Sequence, residues 1–218
     1  MTIKMFTVCA VAALAGIASA QVPYANNFNS GTPGAEWSTT QTESSPSGQR
    51  YLGQFLRDTV TLNLGDQPAG AYLLEFDFYA IRSLDGNGPA GGGPDNFSFF
   101  VDGQLVAVTN FDNYGGGGNS QAYPSFFGTG VNPAGTGAAA TNTLGYTFPG
   151  ALFGDATYHF SITIPHVGGV LSFGITGAPN EAADNEGWGI DNVSVIPAPG
   201  ASTLALLGLG LTVRRRRR

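Results

Sequence analysis

An all-β fold, an antiparallel β-sandwich of jelly-roll type, is the architecture the sequence predicts. Segments alternating apolar and polar residues recur along the middle of the chain, nothing long there repeats with a helical period, and Gly, Asn and Pro cluster between the alternating segments. The segment from Ala71 to Ile81 puts Tyr72, Leu74, Phe76, Phe78 and Ala80 on one face and Glu75 and Asp77 on the other, which is a strand with one buried side. Phe97 to Val101 and Gln104 to Val108 flank Asp102-Gly103, a pair whose backbone suits a two-residue type I′ turn, so a hairpin is predicted there. Strand character continues over Tyr51 to Leu64, Tyr158 to Ile164, Val170 to Thr176 and Trp188 to Ile196. No crossover helix separates these segments, so they should pair antiparallel and stack as two sheets. Two connections, Leu84 to Pro94 and Tyr114 to Thr143, are dense in Gly, Ala, Asn and Pro, and the second is longer than an ordinary turn. Its Tyr123, Phe126 and Phe127 serve either to pin it to the sandwich or to present a binding surface.

The chain begins with Lys4 in a short positive region, an uncharged stretch from Met5 to Ile17, and Ala18-Ser19-Ala20 before Gln21. These are the three parts of a secretory signal, so residues 1–20 are expected to be a signal helix removed on export, and residues 21–196 one domain. The single cysteine, Cys9, lies in the removed segment, and the domain must therefore be held by packing or bound ions rather than by a disulfide. All fifteen Asp and Glu fall in that domain against Arg50, Arg57 and Arg82, a net charge of −12 where the whole chain carries −6. Such a domain repels nucleic acid and anionic lipid and favours cations or neutral glycans.

Residues 197–218 open with Pro197, Ala198 and Pro199, run through an apolar stretch to Val213, and close on Arg214, Arg215, Arg216, Arg217 and Arg218. An apolar run ending in an arginine block reads as a membrane helix with its positive end held on the cytoplasmic side, though it is shorter than the roughly 20 residues of a full span. The order of Pro-x-Pro, Gly/Ala/Leu-rich run and arginine cluster resembles the PEP-CTERM sorting signal of bacteria that make exopolysaccharide, with Pro-Ala-Pro in place of the usual Pro-Glu-Pro. The resemblance is confined to this tail. It implies an exported protein, transiently anchored in the membrane, which an exosortase transpeptidase cleaves near the prolines and leaves at the cell surface or outside the cell.

For catalysis the chain offers only two histidines, His159 and His166, with no spacing that suggests a Ser-His-Asp set, and no cysteine nucleophile after signal removal. Glu75, Asp77, Glu181 and Glu186 are available as paired carboxylates, so a secreted polysaccharide-active hydrolase or lyase is the alternative to a non-catalytic domain. Asp85-Gly86-Asn87-Gly88, Gly93-Pro94-Asp95-Asn96 and Asp184-Asn185-Glu186 carry the oxygens that hard cations prefer, and Asp95 is a candidate calcium ligand among them. The closing segment Gly189-Ile190-Asp191-Asn192-Val193 resembles the last strand of galactose-binding-like and MAM-like sandwiches, and Asn26-Asn27-Phe28-Asn29 looks like their early strand. That resemblance implies a structural calcium tying the last strand to the first, with Asp191 and Asn27 in position to hold it. Sugar rings stack on exposed aromatic side chains beside Asn and Asp, which makes Trp37, Tyr114, Tyr123 and Trp188 candidates for binding extracellular polysaccharide. The expected function is that of a non-catalytic surface or matrix protein whose sandwich either binds glycan or forms part of the extracellular layer.

Overall fold

The computed structural model describes residues 24–88, 93–127 and 130–198. The expected signal helix and membrane helix, with Pro199 and Arg214 to Arg218, lie outside them. Among the described residues there is no helix, and eleven strands pair in antiparallel ladders throughout. They are β1 (Tyr24–Asn26), β2 (Thr42–Ser44), β3 (Arg50–Phe55), β4 (Thr59–Gln67), β5 (Gly70–Arg82), β6 (Asn96–Val101), β7 (Gln104–Asn110), β8 (Ala140–Thr141), β9 (Asp155–His166), β10 (Gly169–Ala178) and β11 (Glu186–Pro197). Seven form one sheet in the order β2-β3-β11-β5-β9-β8, with β1 also paired to β11, and four form a second in the order β4-β10-β6-β7.

The predicted alternation of β5 is realised. Tyr72, Leu74, Phe76, Phe78 and Ala80 are all buried between the sheets, where Phe76 stacks on Phe160 at 4.8 Å and Phe78 on Phe111 at 4.6 Å. Burial of Leu74, Phe76 or Phe78 contributes about 1.5 to 3 kcal/mol each, and the offset stacking adds to it. The Asp102-Gly103 hairpin also forms between β6 and β7, with positive φ at both residues (49° and 74°), as a type I′ turn requires. The stretch from Tyr51 to Leu64 is not one strand. It divides into β3 and β4, which lie in different sheets, and Asp58 Oδ2 marks the break by accepting the Leu56 N–H at 2.9 Å.

The polar face of β5 is polar only along part of its length. Glu75 and Asp77 face outward, but Tyr79 and Ile81 are buried on that outer side with Tyr51, Leu144 and Tyr146. Residues of the long connection before β9 therefore cover one end of the seven-stranded sheet, and the Tyr51 and Tyr146 hydroxyls meet at 2.6 Å. An earlier stretch of the same connection closes the other sheet: the Phe127 N–H donates to Val108 O (3.0 Å) and the Tyr123 N–H to Asn110 O (3.2 Å), covering the edge strand β7.

Candidate functional site

Antiparallel register decides which loops meet. Arg82 lies opposite Glu186, and Ala178 opposite Asn96, so the segment after β5, the segment before β6 and the start of β11 converge at one end of the sandwich. There Asp85, Asp95 and Glu186, between 0% and 2% exposed, bring carboxylate oxygens within 4.8 Å of one another. Each carboxylate is oriented by a protein donor. Asp95 Oδ2 accepts the Asp85 N–H at 2.6 Å, Glu186 Oε2 the Glu181 N–H at 3.0 Å, and Asp85 Oδ1 the Asn119 Nδ2–H at 3.0 Å. Asp95 Oδ1 and Glu186 Oε1 remain buried with no hydrogen-bond partner.

The charge is not neutralised from within the domain. Arg50 donates to Thr42 Oγ1, Arg57 to the Asn180 carbonyl and Arg82 to the Ala183 carbonyl, and there is no other Arg or Lys among the described residues. Burial, and behind it the charges of Asp95, Glu181 and Asp112, pushes the Asp85 carboxyl up to about 7. Burial likewise raises Asp95, and burial followed by the Asp95 charge raises Glu186. An all-oxygen set with no histidine or thiolate can take up protons or a hard cation.

Beside this cluster lies a pocket of about 340 Å³ lined by Asn87, Pro94, Asn96, Val108, Thr109, Asn110, Ala122 and Phe127. Asn110 organises its floor: Nδ2 donates to Asn87 Oδ1 (2.7 Å) and Asn96 Oδ1 (3.2 Å), while Oδ1 accepts the Ala122 N–H (2.6 Å). Asn87 Nδ2 in turn donates to the Gly130 carbonyl at 2.6 Å. Phe127 stands at the rim, 62% exposed and with φ at +56°, a backbone conformation rare for a bulky residue.

The structure redistributes the residues singled out from sequence. Asp95 belongs to the acidic cluster, but Asp191 and Asn27 do not join it. Asp191 lies five residues along β11 from Glu186, on the order of 16 Å away. Its oxygens are already used: Oδ2 accepts from Gln49 Nε2 (2.7 Å) and the Tyr79 hydroxyl (2.9 Å), and Oδ1 accepts the Asn192 N–H (2.7 Å). Asn27 is exposed, and its Oδ1 accepts the Asn29 N–H in a local turn. Among the aromatics, Trp188 is core, donating from Nε1 to the Leu56 carbonyl, and Trp37 is buried with its Nε1–H on the Tyr24 hydroxyl. Neither can offer a face to a sugar. Tyr123 packs between Phe111, Tyr158 and Phe160, and Tyr114 is half-buried outside the pocket. Asp85, Glu186 and Phe127 all stood in the Asp/Asn/Gly clusters or the aromatic loop visible in the sequence; what sequence alone lacked was the strand register that selects them.

No protein-family model matches the sequence, and no curated protein matches it. Among solved structures, 80% of the chain is similar to part of dimeric latent PorU from Porphyromonas gingivalis, at 12% identity and a TM-score of 0.40. A further likeness, over 82% of the chain at 14% identity and a TM-score of 0.35, is to part of an exo-β-1,3-galactanase from Phanerochaete chrysosporium. The chain spans 12% of the first of these chains and 29% of the second. It covers 98% of a carbohydrate-binding module from Cellvibrio mixtus lichenase 5A, solved with cellotriose, over 81% of its own length at 15% identity and a TM-score of 0.31. At such scores the likeness extends to no site and no ligand.

Proposed function

We propose that this chain is an exported, non-catalytic surface or matrix protein whose sandwich binds neutral glycan in the pocket beside Phe127. Its eight principal strands, β3-β11-β5-β9 against β4-β10-β6-β7, run in jelly-roll order. The observation that carries the reading is Phe127 itself. A left-handed backbone costs a residue with a side chain roughly 1 to 2 kcal/mol, yet here it holds an aromatic ring out to solvent. A ring in that position offers a flat apolar face to the C–H face of a pyranose, and the Asn96 amide lies in the same pocket to bond hydroxyls. The acidic domain favours a neutral polymer over an anionic one. The buried trio Asp85, Asp95 and Glu186 lies out of reach of a glycosidic bond, which supports binding over the hydrolase or lyase reading. In the same reading the tail from Pro197 to Arg218 delivers the protein through an exosortase-type transpeptidase after a transient stay in the membrane.

Affinity electrophoresis in gels containing neutral polysaccharides, with reducing ends assayed in parallel, tests the sugar-binding reading. Wild-type protein should be retarded by at least one polymer, Phe127→Ala should run freely, and no reducing ends should appear. Release of reducing sugar, or retardation that survives the substitution, would overturn it. The intact mass of protein recovered from producing cells checks the route: it should begin at or near Gln21 and end near Pro197–Pro199.

A further inference from the structure

We infer that Asp85, Asp95 and Glu186 hold one hard divalent cation, of the size and chemistry of calcium, which joins the segment after β5 and the residue preceding β6 to the first residue of β11. The inference is independent of the glycan reading, because it rests on a different set of atoms.

Burying a carboxylate is tolerated when donors or an opposite charge compensate it. This fold meets that requirement elsewhere at full burial. Asp155 Oδ1 accepts the N–H groups of Thr143 (2.8 Å) and Leu144 (3.0 Å), and its Oδ2 accepts that of Tyr146 (3.1 Å). Asp191 has every oxygen bonded, as described above. At the trio the chain does otherwise. One oxygen of each carboxylate is fixed by an N–H donor, which orients the group, while Asp95 Oδ1 and Glu186 Oε1 are left without any partner at zero exposure. Asp112, bridged to Asp85 through the backbone, adds another buried carboxylate whose Oδ2 is also unpartnered. Among the described residues no arginine answers this concentration of negative charge.

Oxygens within 4.8 Å of one another can all lie about 2.3 to 2.6 Å from a single centre, the usual calcium–oxygen distance, and three carboxylates can supply up to about six of the 6 to 8 oxygens calcium takes. The absence of nitrogen and sulfur donors from the set disfavours zinc and copper. A shared proton between Asp95 and Glu186 is the competing way to relieve the same site.

Calorimetric titration of calcium chloride into chelator-stripped protein, with melting curves in calcium and in EDTA, separates the two. The expected result is one calcium per chain and, at about 100 times the dissociation constant, a melting temperature about 5 to 10 °C higher than in EDTA. Glu186→Gln and Asp95→Asn should each lose both signals while melting, metal-free, at or above the wild-type temperature, since a buried charge has been removed. Asp191→Asn should keep the calcium response. Absence of binding heat with identical wild-type curves would assign the trio to shared protons, and a response that survives Glu186→Gln would place the ion elsewhere; either overturns the inference. Should the variants fail to fold, the wild-type titration alone decides it.

Discussion

At one end of the sandwich, β4 is joined to β5, β6 to β7 and β9 to β10 by connections of two residues each, whereas at the other the chain runs through residues 83–95, 111–154 and 179–185. The short end closes on itself. Asp102, in the hairpin turn of one sheet, accepts from His166 Nδ1–H of the other at 2.8 Å and from the Ser172 N–H at 3.0 Å, and His166 Nε2 faces the Gly169 carbonyl at 3.2 Å. Every polar group in that clip has a protein partner. The long end gathers Asp85, Asp95, Asp112, Asp155 and Glu186 into buried positions; Asp155 is satisfied completely, while Asp95, Asp112 and Glu186 each keep one buried oxygen without a hydrogen-bond partner. Tight turns fix the register of the sheets, and the long loops, freed from that task, are where this protein leaves buried oxygens unpartnered and an aromatic ring exposed.

The largest expected difference between the two ends is in their response to calcium. Amide exchange in Ser83 to Asn87 and Glu181 to Glu186 should slow about 100-fold on saturation at about 100 times the dissociation constant, some 2.7 kcal/mol, while Val101 to Gln104 should not change. Equal protection at both ends would erase the distinction. Because Asn87 lies two residues from Asp85 and Asn96 adjoins Asp95, the pocket should also lose sugar affinity in chelator.

At the short end, His166→Ala should cost about 2 kcal/mol in urea unfolding, the worth of a buried hydrogen bond to a charged group, and should leave calcium affinity untouched. A change in calcium affinity would mean the ends are coupled through the sheets.

The same clip predicts a pH dependence. Burial alone lowers the His166 pKa, but the Asp102 hydrogen bond and the Gly169 carbonyl outweigh it, and the net shift is upward. A pKa raised in the folded state means the fold binds more protons there. Its stabilisation is therefore complete below about 6.5 and is lost as pH rises through the higher folded value. Asp102→Asn, which keeps a residue suited to positive φ, should flatten that part of the stability profile; a curve parallel to wild type would remove the clip from the account.

The smallest effect belongs to Phe127→Gly. Relief of the left-handed backbone should offset the entropy cost of glycine and stabilise the fold by up to about 1 kcal/mol, while retardation by polysaccharide disappears. Destabilisation by more than that would make the ring a structural peg.

Much of this architecture was legible in the residues. The buried set of β5 follows from its period of two, and the hairpin from Asp102-Gly103, because side-chain alternation and turn φ values are local properties. Tyr79 and Ile81 broke the pattern, since what covers the outer face of β5 comes from Leu144 and Tyr146, more than sixty residues away in the chain. Trp188 and Trp37 were candidates for display because large aromatics with a polar tip suit both core and surface, and only packing tells them apart.

By itself the sequence determined that the domain is β, strongly acidic and free of disulfides, and that its Asp, Asn and Gly clusters are rich in carboxylate and amide oxygens. Which of those oxygens meet was decided by tertiary structure alone. The antiparallel register of β5 with β11 puts Glu186 beside the segment that carries Asp85 and carries Asp191 away along the strand to Tyr79 and Gln49. Composition reports how much charge a chain holds, but burial and hydrogen-bond satisfaction depend on neighbours about a hundred residues apart, and those neighbours exist only once the sheets have formed.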